Sequence, residues 1–524
     1  MIKKMVKKLY LFLLFNFPIF VFTQEYPQEL AVDNSYNFIQ FYSNEVAKKI
    51  QNHFDDVTNE KLVFVHYGGS HIQAEIPTTK ARSLFQDKYG NGGRGLIFSY
   101  GAANTYSSVN YKSSFKGDWT YVKSFQGRKQ IPLGICGMSV DTKSQNAELN
   151  FLFKTKLETT NSLLHLFYEK DASAGKFSIW FDSINISLDS IKIEQTSYGI
   201  IIPCPNSVNN ISIKISCEEN QHFTFYGLNI EKNTNNGVIY HSTGVGAAAI
   251  RSILVLDKLE EQLPIIKPDF VFLDFGTNDI LYTNKIDPKL VNQIESAISK
   301  IKSISPEALV ILTSTQDLFY KGNVITAGPI FRDLMDSIAQ ANNCLFWNWY
   351  DLAGGLGTIK KWHTLGYAQA DGIHLNTKGY QLKGQKIFES FENTLAKIKS
   401  TPAISSLHIT GKKYNVKELK KNPIEKSQIN DSLKINQKNV NSNNEKAIVS
   451  EKVIKPVEKK IVEKKIIEKK TVEKSYTVKK GDNLSLIANK FHVSVTALKN
   501  KNNLKTDLIR PGQTIKIPKL FHNR

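Results

Sequence analysis

The sequence predicts an α/β fold that is interrupted by a β-sandwich and followed by a small βααβ domain. Three observations lead to this prediction: short apolar runs alternate with helical segments on both sides of a strand-rich middle, a Lys-rich stretch of low complexity follows, and a compact segment closes the chain. At 524 residues the chain is long enough for several domains, each with its own core.

The α/β part is predicted to occupy residues 25–101 and 236–400. Its strands are short runs that are apolar almost throughout, as parallel strands covered by helices on both faces usually are; they are KLVFVHYG, PDFVFLDFG, ALVILTST and NCLFWNWY. The segments between them, such as PKLVNQIESAISKIKSI, repeat apolar residues at helical spacing. We therefore expect an open parallel sheet with its functional site at the carboxyl ends of the strands.

Residues 102–235 are predicted to form a β-sandwich inserted into the α/β part. The runs LNFLFKT, KFSIWFDS, ISIKISCEE and HFTFYGLNIEK alternate apolar and polar residues, are rich in aromatic side chains and are separated by turn residues. Alternation of this kind is typical of strands with one buried face, and several such strands in succession favour two packed sheets.

Residues 401–474 are predicted to form a disordered linker. Aromatic residues almost vanish there, and in VEKKIVEKKIIEKKTVEK the apolar residues recur every five positions. This period keeps neither a helix face nor a strand face apolar, so the segment cannot build a core. Its mixed charges favour an extended, mobile chain that holds the following domain away from the rest.

Residues 1–23 have the features of a secretory signal peptide. Four lysines precede an apolar run that ends near Thr23, and the run is shorter than the roughly 20 residues that a spanning helix needs. No later stretch of the sequence is apolar and long enough to span a bilayer. We therefore expect an exported protein of the periplasm or cell envelope, with no membrane span in its mature form.

The net charge of +20 is located mainly in the tail. Residues 1–24 carry +4 and residues 401–524 carry +17, which leaves about −1 for residues 25–400. A basic tail on an exported chain favours an acidic envelope polymer as partner, or simply keeps the chain soluble. No nucleic-acid partner is expected.

The four cysteines, Cys136, Cys204, Cys217 and Cys344, match no spacing of zinc ligands, and no metal site is predicted. In an oxidising compartment, a bridge between Cys204 and Cys217 would stabilise the fold by roughly 3 kcal/mol. Buried free thiols are equally compatible with the sequence.

The stretch HYGGSHIQAE places Ser70 directly after the first predicted strand. A serine at this point is either a nucleophile or a small residue in a Gly-rich turn. Two other predicted loops at the same sheet edge carry complementary groups: LDFGTNDI contains Asn278, and ADGIHLNTKGY contains Asp371 and His374. Taken singly, each of these residues also fits a purely structural role: Asn278 could cap a helix, Asp371 could form a turn, and His374 could lie at the surface.

Taken together, these residues supply what serine hydrolysis requires: a hydroxyl, a base, a carboxylate that orients the base and a donor for the oxyanion. Because Asp371 and His374 share one loop, the carboxylate can bond Nδ1 and leave Nε2 free for Ser70. The G-x-S-x-G elbow of α/β-hydrolases fits less well, since Ile72 stands where its last glycine belongs. This chemistry needs no metal or organic cofactor.

The blocks GGSHIQ, GTND and DGIH resemble, in order and approximate spacing, those of the SGNH (GDSL-type) hydrolase superfamily. The resemblance implies a three-layer α/β fold and the activity of an esterase or lipase. It also implies that Ser70 is the nucleophile, His374 the base, Asp371 its orienting acid and Asn278 an oxyanion donor.

The same resemblance implies a second oxyanion donor, a backbone amide, in the stretch HSTGVGAAAI. Gly244 and Gly246 are the candidates, and Ala247 is a further alternative because the donor is a backbone group. In one respect the sequence departs from the family: Gly69 stands where an aspartate usually precedes the serine. This replacement removes a charge beside Ser70 and loosens the turn.

The β-rich insertion, with GNGGRGLIFSYGAANT leading into it, resembles that of bacterial peptidoglycan O-acetylesterases, whose SGNH core is interrupted by a carbohydrate-binding-like β-sandwich. Trp119, Trp180 and Tyr226 in this region suit either stacking on sugar rings or packing in the core.

Residues 475–519 resemble the LysM domain, through YTVKKGDNLSLIA near the start and IRPGQTIKIP at the end. The resemblance implies binding of peptidoglycan or another N-acetylglucosamine-containing glycan. The implied groove lies between two loops, which contain Gly481, Asp482, Asn483 and Leu484, and Ile509, Arg510, Pro511 and Gly512.

The sequence therefore predicts an exported SGNH-type serine esterase that removes O-acetyl or other small acyl groups from cell-wall glycan and is tethered to peptidoglycan by a LysM domain. Two alternatives stay open. One is an esterase of another substrate class, such as a lysophospholipase or an acetylxylan-type esterase. The other is a catalytically inactive wall-binding protein in which Gly69 marks the loss of the site.

Overall fold

The computed structural model describes residues 26–127, 130–186, 194–401, 403–409, 411, 413–415, 475–478, 484, 487, 491, 495–504, 506, 509, 510 and 512–517. The predicted signal peptide and nearly all of the predicted linker lie outside these residues. The chain divides into two compact units, Met1–Ala447 and Ile448–Arg524, which are described separately. Within the described residues, no helix combines the length and the apolar character needed to cross a bilayer.

The strands of the larger unit are β1 (Ile39–Gln40), β2 (Leu62–Gly68), β3 (Gly93–Ile97), β4 (Tyr111–Lys116), β5 (Thr120–Lys123), β6 (Met138–Thr142), β7 (Ala147–Glu158), β8 (Ser162–Tyr168), β9 (Lys176–Phe181), β10 (Ile184–Ile186), β11 (Glu194–Thr196), β12 (Gly199–Pro203), β13 (Ser207–Ser216), β14 (Phe223–Lys232), β15 (Val238–Gly244), β16 (Phe270–Asp274), β17 (Leu309–Thr313), β18 (Phe319–Tyr320), β19 (Asn323–Val324) and β20 (Leu345–Trp347). Its helices are α1 (Asn44–Asp55), α2 (Ser70–Gln73), α3 (Ile76–Tyr89), α4 (Leu259–Ile266), α5 (Thr277–Ile280), α6 (Leu290–Ile304), α7 (Ala327–Ala341), α8 (Trp349–Leu352), α9 (Thr358–Thr364) and α10 (Thr377–Ser400).

The central sheet has the strand order β15-β2-β16-β17-β20-β1. All neighbours are parallel except the edge strand β1, which runs antiparallel to β20. Every residue of β2, β16 and β17 is buried, because helices cover both faces of the sheet. The predicted α/β fold with a parallel sheet is therefore confirmed.

Alternate residues of β2 point into two different apolar layers. Val63, Val65 and Tyr67 belong to the layer that also contains residues of α6 and α7, whereas Leu62 and Phe64 belong to the layer with residues of α1, α3 and α10. This division gives the three layers of helix, sheet and helix, and it explains why the strand is apolar at nearly every position.

The region between β3 and β15 forms two antiparallel sheets. One has the order β10-β9-β13-β7-β4, and the other has the order β11-β12-β8-β14-β6-β5 with β3 also paired to β14. The sheets pack face to face, as the 5.9 Å contact between the rings of Phe151 on β7 and Phe225 on β14 shows. Strand β3 precedes residue 102, so the residues that pair into this sandwich begin earlier than the sequence analysis placed them.

The three aromatic residues singled out in this region have different environments. Tyr226 is 1% exposed and its hydroxyl donates to Glu169, so it is a core residue. Trp119 packs against the apolar core and donates its Nε1–H to a backbone carbonyl. Trp180 lies on the outer face of the five-stranded sheet, where the Lys214 ammonium covers its ring at 3.8 Å from the centroid.

Cys136, Cys204, Cys217 and Cys344 are all free thiols, and three of them are buried. Burial raises the pKa of the Cys136 thiol and of the Cys204 thiol, to about 12 in the case of Cys204. Of the two alternatives that the sequence left open, the structure therefore has free cysteines and no bridge between Cys204 and Cys217.

A buried ionic network lies beneath the carboxyl end of the sheet. The Asp274 carboxylate accepts from Lys383 Nζ at 2.7 Å, from Thr313 Oγ1 at 3.0 Å and contacts His66 Nε2 at 3.1 Å. Burial opposes ionisation of Asp274, but the Lys383 charge and the bond to His66 outweigh it and hold the pKa of this carboxyl well below its usual range. The network fixes α10 against the end of β16.

We expect Lys383→Met to lower the free energy of unfolding by about 3–5 kcal/mol, because the Asp274 carboxylate would remain buried without its cation. Urea denaturation at pH 7 measures this effect. Lys378→Met on the exposed side of the same helix is the control and should change the unfolding free energy by less than about 0.5 kcal/mol. Equal effects of the two substitutions would show that the ion pair contributes no stability.

The smaller unit contains an antiparallel pair, β21 (Ser475–Thr477) and β22 (Thr514–Lys516), and the helix α11 (Val495–Lys501). Its apolar cluster is formed by Val478, Ile487, Leu498, Ile515 and Ile517.

Of the residues implied in glycan binding, Gly481, Asp482, Asn483 and Pro511 lie outside the described residues. Leu484 is 2% exposed, so its side chain packs in the interior and only its backbone is left for the glycan contact that the resemblance implied. Ile509 packs against the apolar cluster, and the Arg510 amide donates to Gln513 Oε1 at 3.0 Å. Gly512 has φ +88°, a conformation that favours glycine.

Candidate active site

Three loops meet at the carboxyl end of the central sheet. Ser70 follows β2, Asn278 follows β16, and the loop before α10 carries Asp371 and His374. Strands β15 and β16 flank β2 in parallel register, with Gly244 and Asp274 both opposite Gly68. The segments that leave these three strands therefore emerge side by side, which is why residues distant in sequence share one site.

Ser70, His374 and Asp371 form a continuous hydrogen-bonded relay. Ser70 Oγ lies 2.8 Å from His374 Nε2, and His374 Nδ1 lies 2.7 Å from Asp371 Oδ2. A proton on Nδ1 is donated to the carboxylate, so Nε2 carries a lone pair directed at the serine hydroxyl. The arrangement matches the base and orienting acid predicted from the spacing of the loop.

The second oxygen of Asp371 fixes the loop itself. Oδ1 accepts from the backbone amides of Ile373 and His374, at 2.9 Å each. Partial burial favours the neutral acid, but the bonds from the His374 ring and from the two amides outweigh burial and lower the pKa of Asp371 to about 2. The carboxylate therefore stays charged at any pH at which an imidazole base can work.

Of the two glycines before Ser70, Gly68 has neighbours that leave no room for a Cβ, whereas Gly69 has close but less restrictive contacts. A Cβ on Gly68 would lie 2.4 Å from Ile72 Cγ1, and a Cβ on Gly69 would lie 3.2 Å from the Ala248 carbonyl oxygen and 3.3 Å from Asn278 Nδ2. At Gly69, where the resembling family has aspartate, the Ala248 carbonyl instead accepts the Asn278 amide at 2.9 Å. With glycine in place of aspartate at residue 69, the Asn278 side chain is thus still held by a hydrogen bond to the Ala248 carbonyl.

The candidate oxyanion donors differ in their surroundings. Gly244 ends β15 against α2, where a Cβ would lie 2.1 Å from the Gln73 backbone nitrogen. The Gly246 amide donates to Gln73 Oε1 at 2.5 Å and is therefore already engaged. Ala247 lines the same cleft as Ser70 and adopts φ +66°, and its amide has no partner in the described part of the chain. Unlike the Gly246 amide, the Ala247 amide is therefore free to donate.

Asn278 has one amide hydrogen left for an oxyanion, because the other bonds the Ala248 carbonyl. We expect Asn278→Ala to lower kcat for a small acetyl ester by about 10²- to 10³-fold, as loss of one oxyanion donor usually does. Steady-state kinetics measures the effect, and an unchanged melting temperature would show that the loop is intact. A fall in kcat of less than about threefold would exclude Asn278 as a donor.

Sequence reasoning missed a set of buried polar residues that support the relay. His71, directly after the nucleophile, contacts Tyr380 Oη at 2.8 Å with Nδ1 and Thr277 Oγ1 at 3.0 Å with Nε2, and its ring lies 5.0 Å from that of His374. Burial, together with His374, lowers the pKa of His71 well below its usual value, so His71 is neutral. Gln316 donates to the Ile373 carbonyl at 2.7 Å and holds the His374 loop from below.

Gln73 connects the inserted region to the site. Its Nε2 donates to Thr105 Oγ1 at 2.8 Å and to the Tyr106 carbonyl at 3.0 Å, while its Oε1 accepts the Gly246 amide. The Tyr106 hydroxyl in turn donates to the Ser70 carbonyl at 3.2 Å. His71 and Gln73 both belong to the quoted block GGSHIQ, so the signal that could have found them was their position one and three residues after the nucleophile.

The relay opens into a cleft of about 670 Å³. Two tyrosines that line it are unusually exposed for aromatic residues, Tyr106 at 48% and Tyr282 at 68%. The cleft is within the range of about 300–1,000 Å³ that is usual for ligand sites. Its wall also includes Ala247, Asn278 and His374, so the possible donors and the base face one space.

Comparison with known proteins agrees with this geometry. Residues 219–382 match the model of the GDSL-like lipase/acylhydrolase family, and residues 476–518 match that of the LysM domain. The first match contains Asn278, Asp371 and His374 and begins after Ser70. The larger unit thus contains a region similar to GDSL-like lipases and acylhydrolases, and the smaller unit contains a region similar to the LysM domain.

One solved structure, described as a peptidoglycan O-acetylesterase in action, is 18% identical and aligns with 68% of this chain and 99% of that chain, at a TM-score of 0.57. A GDSL-like lipase from Bacteroides thetaiotaomicron is 22% identical over 30% of this chain and 77% of that chain, at a TM-score of 0.24. The first likeness shows a shared fold.

Among curated proteins, the N-acetylmuramoyl-L-alanine amidase sle1 of Staphylococcus saprophyticus is 49% identical over 43 residues. The aligned part is 8% of this chain and 13% of the amidase, so the chain spans only a small part of that relative's length.

Proposed function

We propose that this chain is an exported esterase that removes O-acetyl groups from cell-wall glycan and is held at peptidoglycan by its LysM domain. The observation that carries the proposal is the Ser70–His374–Asp371 relay, with Ser70 Oγ 2.8 Å from the imidazole, at the wall of an open cleft. The predicted signal peptide supports action outside the cytoplasm, in the periplasm or cell envelope.

In the proposed reaction, Ser70 Oγ attacks the acetyl carbonyl carbon while its proton passes to His374 Nε2. Asn278 Nδ2 and the Ala247 amide stabilise the tetrahedral oxyanion. When the intermediate collapses, the C–O bond to the sugar breaks, and the sugar oxygen takes the proton from the imidazolium. Water then gives a proton to His374 and attacks the acetyl-serine, which releases acetate and restores Ser70.

The shape of the cleft supports a sugar polymer as substrate. Tyr106 and Tyr282 are exposed aromatic residues that line the same cleft as the nucleophile, and aromatic rings suit the apolar sides of sugar rings. The similarity in fold to a peptidoglycan O-acetylesterase and the LysM match point to the same polymer.

The test is hydrolysis of three substrates by the purified full chain, measured as acetate released from O-acetylated peptidoglycan and from acetylated xylan, and as fatty acid released from a lysophospholipid. We expect the highest kcat/KM with O-acetylated peptidoglycan. Faster turnover of xylan or lysophospholipid would assign the enzyme to another substrate class. Failure to hydrolyse any of these or p-nitrophenyl acetate would leave a wall-binding protein without activity.

Deletion of residues 475–524 is expected to reduce the fraction of protein that sediments with purified sacculi, with little change in turnover of p-nitrophenyl acetate. The reason is that this unit has its own apolar cluster and contains no residue of the relay. The two readouts together separate tethering from chemistry. Undiminished sedimentation of the shortened chain would locate the wall contact elsewhere.

A further inference from the structure

A second pocket, of about 380 Å³, lies where α3 meets the inserted sandwich. Four basic side chains line it: Arg82 on α3, Arg94 on β3, and Lys154 and Lys156 on β7. Glu158 is the one acidic residue among the described residues of its wall. The pocket is therefore strongly basic, although the main body of the protein is close to neutral.

Arg82 is the unusual member of this group. It is 6% exposed, and its guanidinium donates only to the Tyr240 carbonyl and Thr79 Oγ1, both at 3.3 Å. No carboxylate in the described parts of the chain lies within 4.0 Å of its nitrogens. A buried cation without a counterion is costly, so an anion bound beside Arg82 would remove this cost.

Arg94 does not relieve this imbalance. Arg94 is 8% exposed and forms an ion pair with the buried Glu75 at 2.6 Å. The Glu75 carboxylate therefore neutralises Arg94 and not Arg82. Arg94 Nε and the second oxygen of Glu75 have no partner among the described residues. Burial lowers the pKa of Arg82 to about 9, and the positive charge of Arg94 adds to this effect while Glu75 opposes it. Of these two guanidinium groups, only that of Arg94 thus contacts a carboxylate among the described residues.

We propose that this pocket is a second ligand site that binds a carboxylate group, with Arg82 as the buried counterion and Lys154 and Lys156 at the entrance. A guanidinium presents paired N–H donors that match the two oxygens of a carboxylate. The volume exceeds what a single ion needs and falls within the range for small ligands, so the carboxylate belongs to a larger molecule such as a sugar acid or a short peptide.

The pocket and the active-site cleft are both lined by helix α3. This helix contributes Ile76 to the cleft and Arg82 to the pocket, six residues and about 9 Å farther along the helix. The proposed site binds a ligand and is separate from the proposed esterase function, because ligand binding to it is measured without ester turnover.

The test is calorimetric titration of the full chain, at constant pH and ionic strength, with N-acetylmuramic acid, with alanyl-alanine and with neutral N-acetylglucosamine. The first two probes distinguish a sugar carboxylate from a peptide carboxylate. We expect at least one of them to bind, and Lys154→Ser/Lys156→Ser to weaken that binding by about tenfold. Lys112→Ser, an exposed lysine on β4 outside the pocket, is the matched control and should have no effect. Any contribution of the LysM domain is equal in all variants.

Arg82→Gln should weaken carboxylate binding at least as much as the double lysine variant, and its melting temperature reports whether it folds. The lysine variant keeps the test decisive if Arg82→Gln does not fold, because Lys154 and Lys156 are exposed. If only the sugar acid or only the dipeptide binds, and these variants weaken that binding, the result supports the site and shows which kind of molecule carries the carboxylate. Absence of binding, or binding that neither variant changes, overturns it.

Discussion

Ser70→Ala is expected to lower kcat for p-nitrophenyl acetate by about 10⁴- to 10⁶-fold, since removal of a relay nucleophile leaves only binding and oxyanion stabilisation. His374 Nε2 lies 2.8 Å from Ser70 Oγ and would lose this partner in the variant. Steady-state hydrolysis and acetate release from O-acetylated peptidoglycan both measure the loss.

The structure of the Ser70→Ala variant should be unchanged, because the turn is fixed by the close packing of Gly68 and by bonds to the backbone of residue 70. Sedimentation with sacculi should therefore persist. Ser83→Ala, an exposed serine on α3, is the matched control and should retain full activity. Turnover by the Ser70 variant at the wild-type rate would remove this serine from the mechanism.

The sequence was sufficient for the parts of the fold and site that depend on local pattern. The apolar runs that became β2, β16, β17 and β20 are continuous in the sequence, and their parallel pairing followed from the helical segments between them. The proposed acid and base were identifiable because Asp371 and His374 lie three residues apart, so one loop sets their geometry.

Features that depend on contacts between distant segments could not be predicted in this way. Lys383 stands in NTKGYQLKGQK, where nothing in the pattern distinguishes it from the exposed Lys378, and only the packing of α10 reveals that Lys383 is buried against Asp274. The pairing of β3 with β14 joins residues more than a hundred positions apart. Arg82 likewise looks like an ordinary charged position on an amphipathic helix until the inserted sandwich closes over it.

The hydrogen bonds of the backbone amides near Ser70 likewise could not be predicted from the local sequence. The pattern HSTGVGAAAI predicted a loop that lies beside Ser70, yet it could not show which of its amides is free. Whether an amide is free depends on contacts between distant residues, since Gln73 accepts the Gly246 amide. It also depends on the positive φ of Ala247, a backbone conformation that alanine seldom adopts and that the surrounding fold imposes.

Asp371→Asn is expected to lower kcat by about 10⁴-fold while leaving the loop in place. An asparagine keeps Oδ1 as the acceptor for the Ile373 and His374 amides, so the local fold survives. Its amide, however, donates where the carboxylate accepted, and His374 must then present a lone pair on Nδ1 and its proton on Nε2. That tautomer cannot take the proton of Ser70.

The pH dependence separates this effect from a loss of charge alone. The pKa of Asp371 is lowered to about 2, so the wild-type carboxylate is charged at every pH above about 4 and its titration does not limit activity there. The loss in Asp371→Asn should therefore be nearly constant from pH 5 to pH 8. Asp287→Asn, at an exposed position, is the control and should be fully active. A loss of less than about tenfold would mean that His374 keeps its tautomer without Asp371 and that the relay consists of Ser70 and His374.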